Sequence, residues 1–376
     1  MSWDAWLAEQ RESRERAGLQ RTLRPRAADE QVVDLASNDY LGFGTHPDVQ
    51  RAASAAALSW GAGSGASRLV TGTTTLHAEL EAEIADFTGR DSALVMSTGY
   101  HANLSAVTAL ADRDTLVVSD AHVHASLIDA ARLSRATVEV VPHNEVDAVR
   151  AALAGAGGRR AIVLTESVYS VLGDAAPLSA LAEVCADHGA LLLVDEAHGL
   201  GVVGDGGRGL VAALDEAPQV VMTATLSKSL GAMGGAVLGS AALIDHLVNR
   251  ARPFIFDTAL APAPAAGALA ALRGLRDRPE LPDVIHRRAA QLADRLGVAR
   301  AAGAVLSVPM PSPQVALTAQ AAARDAGVRV GCFRPPSVPD GVARLRITTQ
   351  AGIGDDDWAR AVEVLAGVVE QHRGEP

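Results

Sequence analysis

The chain has 376 residues, 48% of them hydrophobic and 20% charged, and a formal net charge of −11. That is the composition of an ordinary globular protein, long enough for two domains or for one large α/β domain with an appendage. The acidic balance and the lack of any local run of lysine or arginine argue against a nucleic-acid or anionic-membrane surface, since both need basic patches.

The opening MSWDAWLAEQRESRERAG carries charges throughout and lacks the apolar core of a signal peptide. LAEQRESRERAG within it reads as a helix, followed by a turn and QVVDLAS. PDVQRAASAAALSW and LHAELEAEIADFTG have helical periodicity, the second behind capping threonines. Short apolar runs then recur: ALVMST (93–98), TLVVSD (115–120), TVEVVP (137–142), AIVLTE (161–166), LLLVDE (191–196), QVVMTAT (219–225) and GGAVLGS (234–240). Helical segments such as PLSALAEVCADHG separate most of them. Unalternated apolar strands between helices predict a mainly parallel sheet covered on both faces.

Past residue 250 the texture changes to PAPAAGALAALRGLRDRPELP, a helical connector, and then to a smaller α+β unit. The expected division is an N-terminal helix and arm over 1–45, a large domain over 46–255, and the connector with a small C-terminal domain over 256–376. FDTALAPAPAAGALAALRGL is proline-broken and no membrane span. Cys185 and Cys332 lie far apart without metal-ligand spacing and read as buried or idle thiols of a cytoplasmic protein.

Ligands of an open parallel sheet sit at the carboxyl ends of its strands, and the notable polar residues fall there: Thr98–Gly99, Asp120 to His124, Glu166 to Ser170, Asp195 to His198, and Thr225 to Lys228. Of the 33 lysines and arginines, Lys228 alone is lysine. Compositional bias explains the arginines; it does not explain the exception. Only the amine can become a neutral nucleophile or base.

In VDEAHG, Asp195 and His198 fit a helix cap with a surface histidine, or else a carboxylate holding a pyridine nitrogen and an imidazole at the ring's phenolic oxygen. STGYHAN, between a strand and a helix, suits an anion, as phosphate or nucleotide site; without GxGxxG or GxxxxGK[ST] it is neither a dinucleotide fingerprint nor a P-loop. His124 fits either a helix start or a ring stack. His122 and the remaining histidines, His143 among them, show no metal spacing and read as surface or packing residues.

LASNDYLGFGTHP, GSGASRLVTGTTTLHAELE, TESVYSVLGDAAPL, VDEAHGLGVVGDGGRG, TLSKSLGAMGG and RPPSVPDGVARLRITT together resemble the α-oxoamine synthases, end to end. The resemblance implies a fold-type-I pyridoxal-phosphate-dependent transferase: a mainly parallel seven-stranded sheet in a large domain, with a smaller α+β C-terminal domain. It further implies a homodimer. Carried over by position, Lys228 bonds the cofactor, Asp195 meets the pyridine nitrogen, His198 the phenolic oxygen, and His124 stacks on the ring. Gly99, Tyr100 and Thr225 hold phosphate, Ser170 lies beside the ring, and Thr258 reaches the phosphate of the partner subunit, although Asp257 precedes it where relatives carry a hydroxyl.

Arg346 is implied as the amino-acid carboxylate clamp, with Arg21, Asn38 and Ser337 on the acyl side and Glu166 at the reacting centre. SNDYLG and RPPSVP resemble the members that join L-alanine to a pimeloyl thioester on the way to biotin. The alternatives are a glycine- or serine-using sister activity and, in another class, a non-catalytic binding protein. Arg344 and Arg346 alternate on an expected strand and share a face, so spacing does not choose between them. The resemblance chooses Arg346, and Arg344→Ala should then be as mild as a surface substitution.

Overall fold

The computed structural model describes residues 1–376 except 17–18, 215–216, 336, 339 and 375–376. Helix α1 (Trp3–Arg16) is followed by the short strand β1 (Val33–Asp34) and helices α2 (Pro47–Trp60) and α3 (Thr75–Thr88). Strands and helices then alternate as β2 (Ser92–Met96), α4 (Gly99–Leu110), β3 (Thr115–Asp120), α5 (Ala125–Ser134), β4 (Thr137–Val141), α6 (Val146–Ala154), β5 (Arg160–Glu166), α7 (Leu178–His188) and β6 (Leu191–Asp195). After β7 (Val220–Thr225) and β8 (Gly235–Gly239) come α8 (Ala241–Arg250), α9 (Arg252–Phe256), α10 (Pro262–Arg276) and α11 (Leu281–Leu296). The chain closes with β9 (Val305–Pro309), α12 (Pro313–Asp325), β10 (Val328–Arg329), β11 (Gly331–Phe333), β12 (Arg344–Thr348) and α13 (Asp355–Arg373).

The seven apolar runs form one sheet in the order β2-β8-β7-β6-β5-β3-β4. Only β8 runs against its neighbours. Successive residues of a strand feed opposite faces: on β5, Ile162 and Leu164 pack with α4 and α5 residues such as Ala106 and Leu127, whereas Val163 joins Ile84 of α3, Leu153 of α6 and Leu181 of α7. Both faces are apolar because both are covered. Edge strand β4 is the exception, with Val138 and Val140 exposed.

A second core lies in the C-terminal unit, where the antiparallel sheet β11-β12-β9 meets α11, α12 and α13. Two features cross the expected divisions. Helix α10 packs on α2 and α3 and so belongs with the large sheet. Strand β1 pairs in parallel with β10, and Val33 and Leu35 enter the second core. The arm continues across the top of the large sheet, where the Ala351 amide donates to the Tyr40 carbonyl at 2.7 Å. Residues 34–40 are thereby held between the two cores. No helix of the described residues is long and apolar enough to cross a membrane.

Candidate active site

A cleft of about 260 Å³ opens at the carboxyl ends of β2, β5, β6 and β7. Four strand-end side chains share it: Glu166 ends β5, Asp195 ends β6, Thr225 ends β7, and Lys228 follows three residues later. His124 caps α5, its Nδ1 facing the Ser126 amide at 3.2 Å, and it lines the same cleft.

Asp195 is fixed from two directions. The Asn103 amide donates to Oδ2 at 2.7 Å, and the Ala197 backbone donates to Oδ1 at 2.9 Å. Asn103 is fixed in turn by Thr223, whose hydroxyl donates to its Oδ1 at 2.6 Å. Two donors on its two oxygens fix the direction in which the carboxylate faces the cleft. Asn103 lies within STGYHAN, and its place one turn into α4 is the sequence signal for it.

Lys228 Nζ lies 2.8 Å from His198 Nε2, and His198 Nδ1 lies 2.7 Å from the Tyr40 hydroxyl. Tyr40 donates its single proton to Asn38 Oδ1 at 3.1 Å. Its oxygen must therefore accept from His198 Nδ1–H, which leaves Nε2 as a lone pair facing the lysine. Burial, reinforced by the Lys228 charge, holds His198 well below its usual range and so neutral. Burial also lowers Lys228, against the charges of Asp195 and Glu166. Glu166 moves upward, through burial first and Asp195 second. The lysine is thus closer to a neutral amine than any solvated one, with a carboxyl nearby that retains its proton more readily.

The Thr98 hydroxyl accepts the His101 amide at 3.0 Å and opens α4 with Gly99 at its first position. A Cβ on Gly99 would sit 2.8 Å from the Thr225 Cβ, so only glycine lets the helix end approach β7 this closely. Helix N-termini attract anions, and Thr225 and Ser227 add hydroxyls 2.7 Å apart. Tyr100 lines the cleft while its hydroxyl donates to Asp129.

The two arginines of β12 separate clearly. Arg344 is 2% exposed and forms a bidentate pair with Asp340 at 3.0 and 2.6 Å. The expectation that Arg344→Ala is as mild as a surface substitution is revised: Arg344 is a buried guanidinium whose charge is met by the partly exposed Asp340, and removing such a partner is destabilising. Arg346 is 4% exposed and donates to the Ser170 carbonyl at 2.7 Å and Asn38 Oδ1 at 3.1 Å. Among the described residues it has no carboxylate partner. Buried charges are normally paired; the partners of this one are a carbonyl and an amide oxygen, both neutral.

Phe333 stacks under Arg346 and also lines a wider cavity of about 750 Å³ with Arg14, Arg21 and Ser337. There Arg21 donates to Ser337 Oγ at 2.7 Å. Ser170 lies beside Glu166, to which its amide donates at 3.2 Å. Thr258 does not line the central cleft; it pairs with Ser67. The Asp257 carboxylate accepts from Ser97 at 2.5 Å and faces His101 Nδ1 at 3.1 Å. His143, read from sequence as a surface or packing residue, is bonded between two carboxylates.

The family model for class I and II aminotransferases matches residues 30–365. The chain belongs to this family. An 8-amino-7-oxononanoate synthase of Mycobacterium sp. (strain KMS) is 55% identical over 372 residues, 98% of this chain and 97% of that protein. The synthase of Mycolicibacterium smegmatis is 54% identical with the same coverage. Among solved structures, a Sphingomonas wittichii serine palmitoyltransferase superposes with a TM-score of 0.90 at 28% identity, covering 98% of this chain and 97% of that one. A Francisella tularensis 8-amino-7-oxononanoate synthase superposes with a TM-score of 0.76 at 24% identity, over 90% and 98% of the two chains, a likeness of fold.

The family member described here is a pyridoxal-phosphate-dependent α-oxoamine synthase with the fold-type-I architecture. Its residues fit the cofactor. The glycine-only approach at Gly99 leaves a helix end for phosphate, Asp195 offers a fixed carboxylate, Lys228 offers an amine, and Glu166 Oε1 is a buried cleft atom without a partner.

Proposed function

We propose that the chain condenses L-alanine with a pimeloyl thioester, releasing CO2 and the thiol and giving 8-amino-7-oxononanoate. The observation that carries this reading is the buried Arg346, without a carboxylate partner among the described residues, whose charge acts on the only lysine. Nearly full-length identity of 54–55% with 8-amino-7-oxononanoate synthases supports the choice of alanine and pimeloyl.

Bound pyridoxal phosphate supplies an electron sink that stabilises negative charge at the amino acid's α-carbon. Lys228 holds the cofactor and, when free, receives the α-proton at Nζ; a lowered pKa matches a base to neutral pH. Asp195 would keep the pyridine nitrogen protonated, His198 would meet the phenolic oxygen and His124 would stack on the ring. Gly99, Tyr100 and Thr225 would hold the phosphate, with Ser170 beside the ring. Arg346 binds the alanine carboxylate through a planar guanidinium. Asn38, Arg21 and Ser337 line the acyl path, where Arg21 suits the distal carboxylate of pimeloyl. Glu166 holds a proton at the reacting centre.

A homodimer is part of this reading. Helix α1 buries no residue and exposes Trp3, Trp6 and Leu7, and Thr258, off its own cleft, serves the partner's phosphate.

The test is thiol release from pimeloyl-CoA with L-alanine, glycine or L-serine. Release with alanine is expected; release only with glycine or serine would move the chain to a sister activity. In the same assay Arg346→Ala should raise the alanine KM by at least ~30-fold, the low end of the roughly 2–5 kcal/mol lost with a buried charge partner. An unchanged KM would remove the structural support for an amino acid bound by its carboxylate.

A further inference from the structure

Beyond the reacting groups, one side chain joins the end of β3 to the hairpin that follows β5. His143, in the turn after β4, faces Asp120 through Nδ1 at 2.9 and 3.1 Å and Asp174 through Nε2 at 2.8 Å. With a carboxylate at each ring nitrogen, both nitrogens act as donors and the ring is a cation. Burial alone would lower its pKa, but the bonds to Asp120 and Asp174 outweigh it and raise the group to about 9. The folded value exceeds the unfolded 6.5, so the stabilisation is complete below that pH and is lost as pH rises through about 9.

The ring cannot swing away. His122 stacks on it at 4.0 Å and Tyr169 meets it edge-on at 4.4 Å. Asn144, in the left-handed conformation at φ 59°, donates its backbone amide to Asp120 at 2.8 Å and its side-chain amide to Asp174 at 3.1 Å. Asp120, Asp174, His122 and Tyr169 are the ionisable neighbours of His143, and Asp340 adds its field at His122.

Both carboxylates lead back to the cleft. Asp120 accepts the His122 amide at 2.7 Å, two residues before His124. The Asp174 carbonyl accepts the Tyr169 amide at 2.9 Å, closing the hairpin, and Ser170 within it presents its carbonyl to Arg346 Nε at 2.7 Å. The opposite side of the hairpin is held by Ala302, whose amide donates to the Gly173 carbonyl at 2.8 Å.

We propose that His143 is a positioning residue for the amino-acid clamp: bonded between Asp120 and Asp174, it holds the hairpin of residues 168–175 to the end of β3, so that the Ser170 carbonyl fixes the direction of the Arg346 guanidinium. This rests on Arg346 being the carboxylate clamp. His143 touches no reacting atom. Its effect falls first on amino-acid binding, through the direction of Arg346.

The test uses the holoenzyme as wild type, His143→Gln, His143→Lys and Arg346→Ala. Alanine binding is followed through the cofactor's visible absorbance, and thiol release gives kcat and both KM values. His143→Gln should raise the alanine KM about 10-fold, less than the ~10²-fold of a 1 Å misplacement of a reacting group, with kcat, donor KM and the alanine-free absorbance band unchanged within about threefold. His143→Lys, which restores a cation between the carboxylates, should recover most of the loss. If His143→Gln saturates with alanine as the wild type does while Arg346→Ala does not, the proposal is wrong and the clamp stands. A silent Arg346→Ala overturns the clamp, and the proposal with it. Equal decline of every parameter, without rescue by lysine, shows a purely structural role and also overturns it. Should His143→Gln fail to fold, Asp174→Asn carries the same expectation, and absence of the KM-against-kcat split there is equally fatal.

Discussion

Lys228→Ala should yield a folded protein whose condensation rate has fallen by at least ~10³-fold, within the ~10²–10⁴ contributed by a positioned proton acceptor and compounded by loss of the covalent hold on the cofactor. The fold should survive because, among the described residues, the Lys228 side chain forms no ion pair and its one hydrogen bond is to His198. The measurement that isolates the residue is borohydride reduction followed by peptide mapping. Wild type should carry the cofactor label on the peptide containing Lys228, since the chain has no other lysine. The competing amine is that of Met1, itself 94% exposed. Label on Met1 alone, or a variant that keeps its activity, would sink the assignment.

Asp195→Asn should slow the reaction by about 10²–10³-fold, the scale of one preorganised electrostatic partner removed from a dry site. The substitution preserves shape but loses the charge. One of the two donors now aimed at the side chain, the Asn103 amide or the Ala197 backbone, must then face an NH2 group. The loss also propagates. Asp195 raises both Lys228 and Glu166, so its removal lowers the lysine further and releases the Glu166 proton at lower pH. The direct readout is exchange of the α-proton of alanine in deuterated water without acyl donor. Exchange at the wild-type rate would reduce Asp195 to a structural acceptor for Asn103. Retention of the cofactor's absorbance with slow exchange is the expected result.

How far these residues could be read in advance follows from where their partners lie in the chain. Lys228, Asp195 and Glu166 were legible because each stands at or just past the end of an apolar run, and parallel strands bring such ends together without further information. Helix α2 was legible to its ends, because proline marks its start and Gly61 its stop. Tyr40 was not, because its role exists only through His198, 158 residues away. The same holds for His143, whose two carboxylates sit at the end of β3 and in the hairpin after β5. Arg344 and Arg346 share a strand face, and only the presence of Asp340 beside the first distinguishes a paired guanidinium from one left for a ligand.

The pairing of β1 with β10 sets an order on assembly during synthesis. Asp34 meets Arg329 across 295 positions, and at roughly 5–20 residues per second the early segment leaves the ribosome about 15–60 s before its partner. Throughout that interval Val33 and Leu35 have no core to enter and the backbone between them has no strand to join. The large sheet can close meanwhile, since its seven strands lie between residues 92 and 239. Asn38 and Tyr40, however, are placed only when the last quarter of the chain returns to the first. A nascent or truncated chain therefore acquires its scaffold early and the hydrogen bonds behind Lys228 late, and quality control that senses an unpaired N-terminal strand would in effect be sensing whether the catalytic centre is finished.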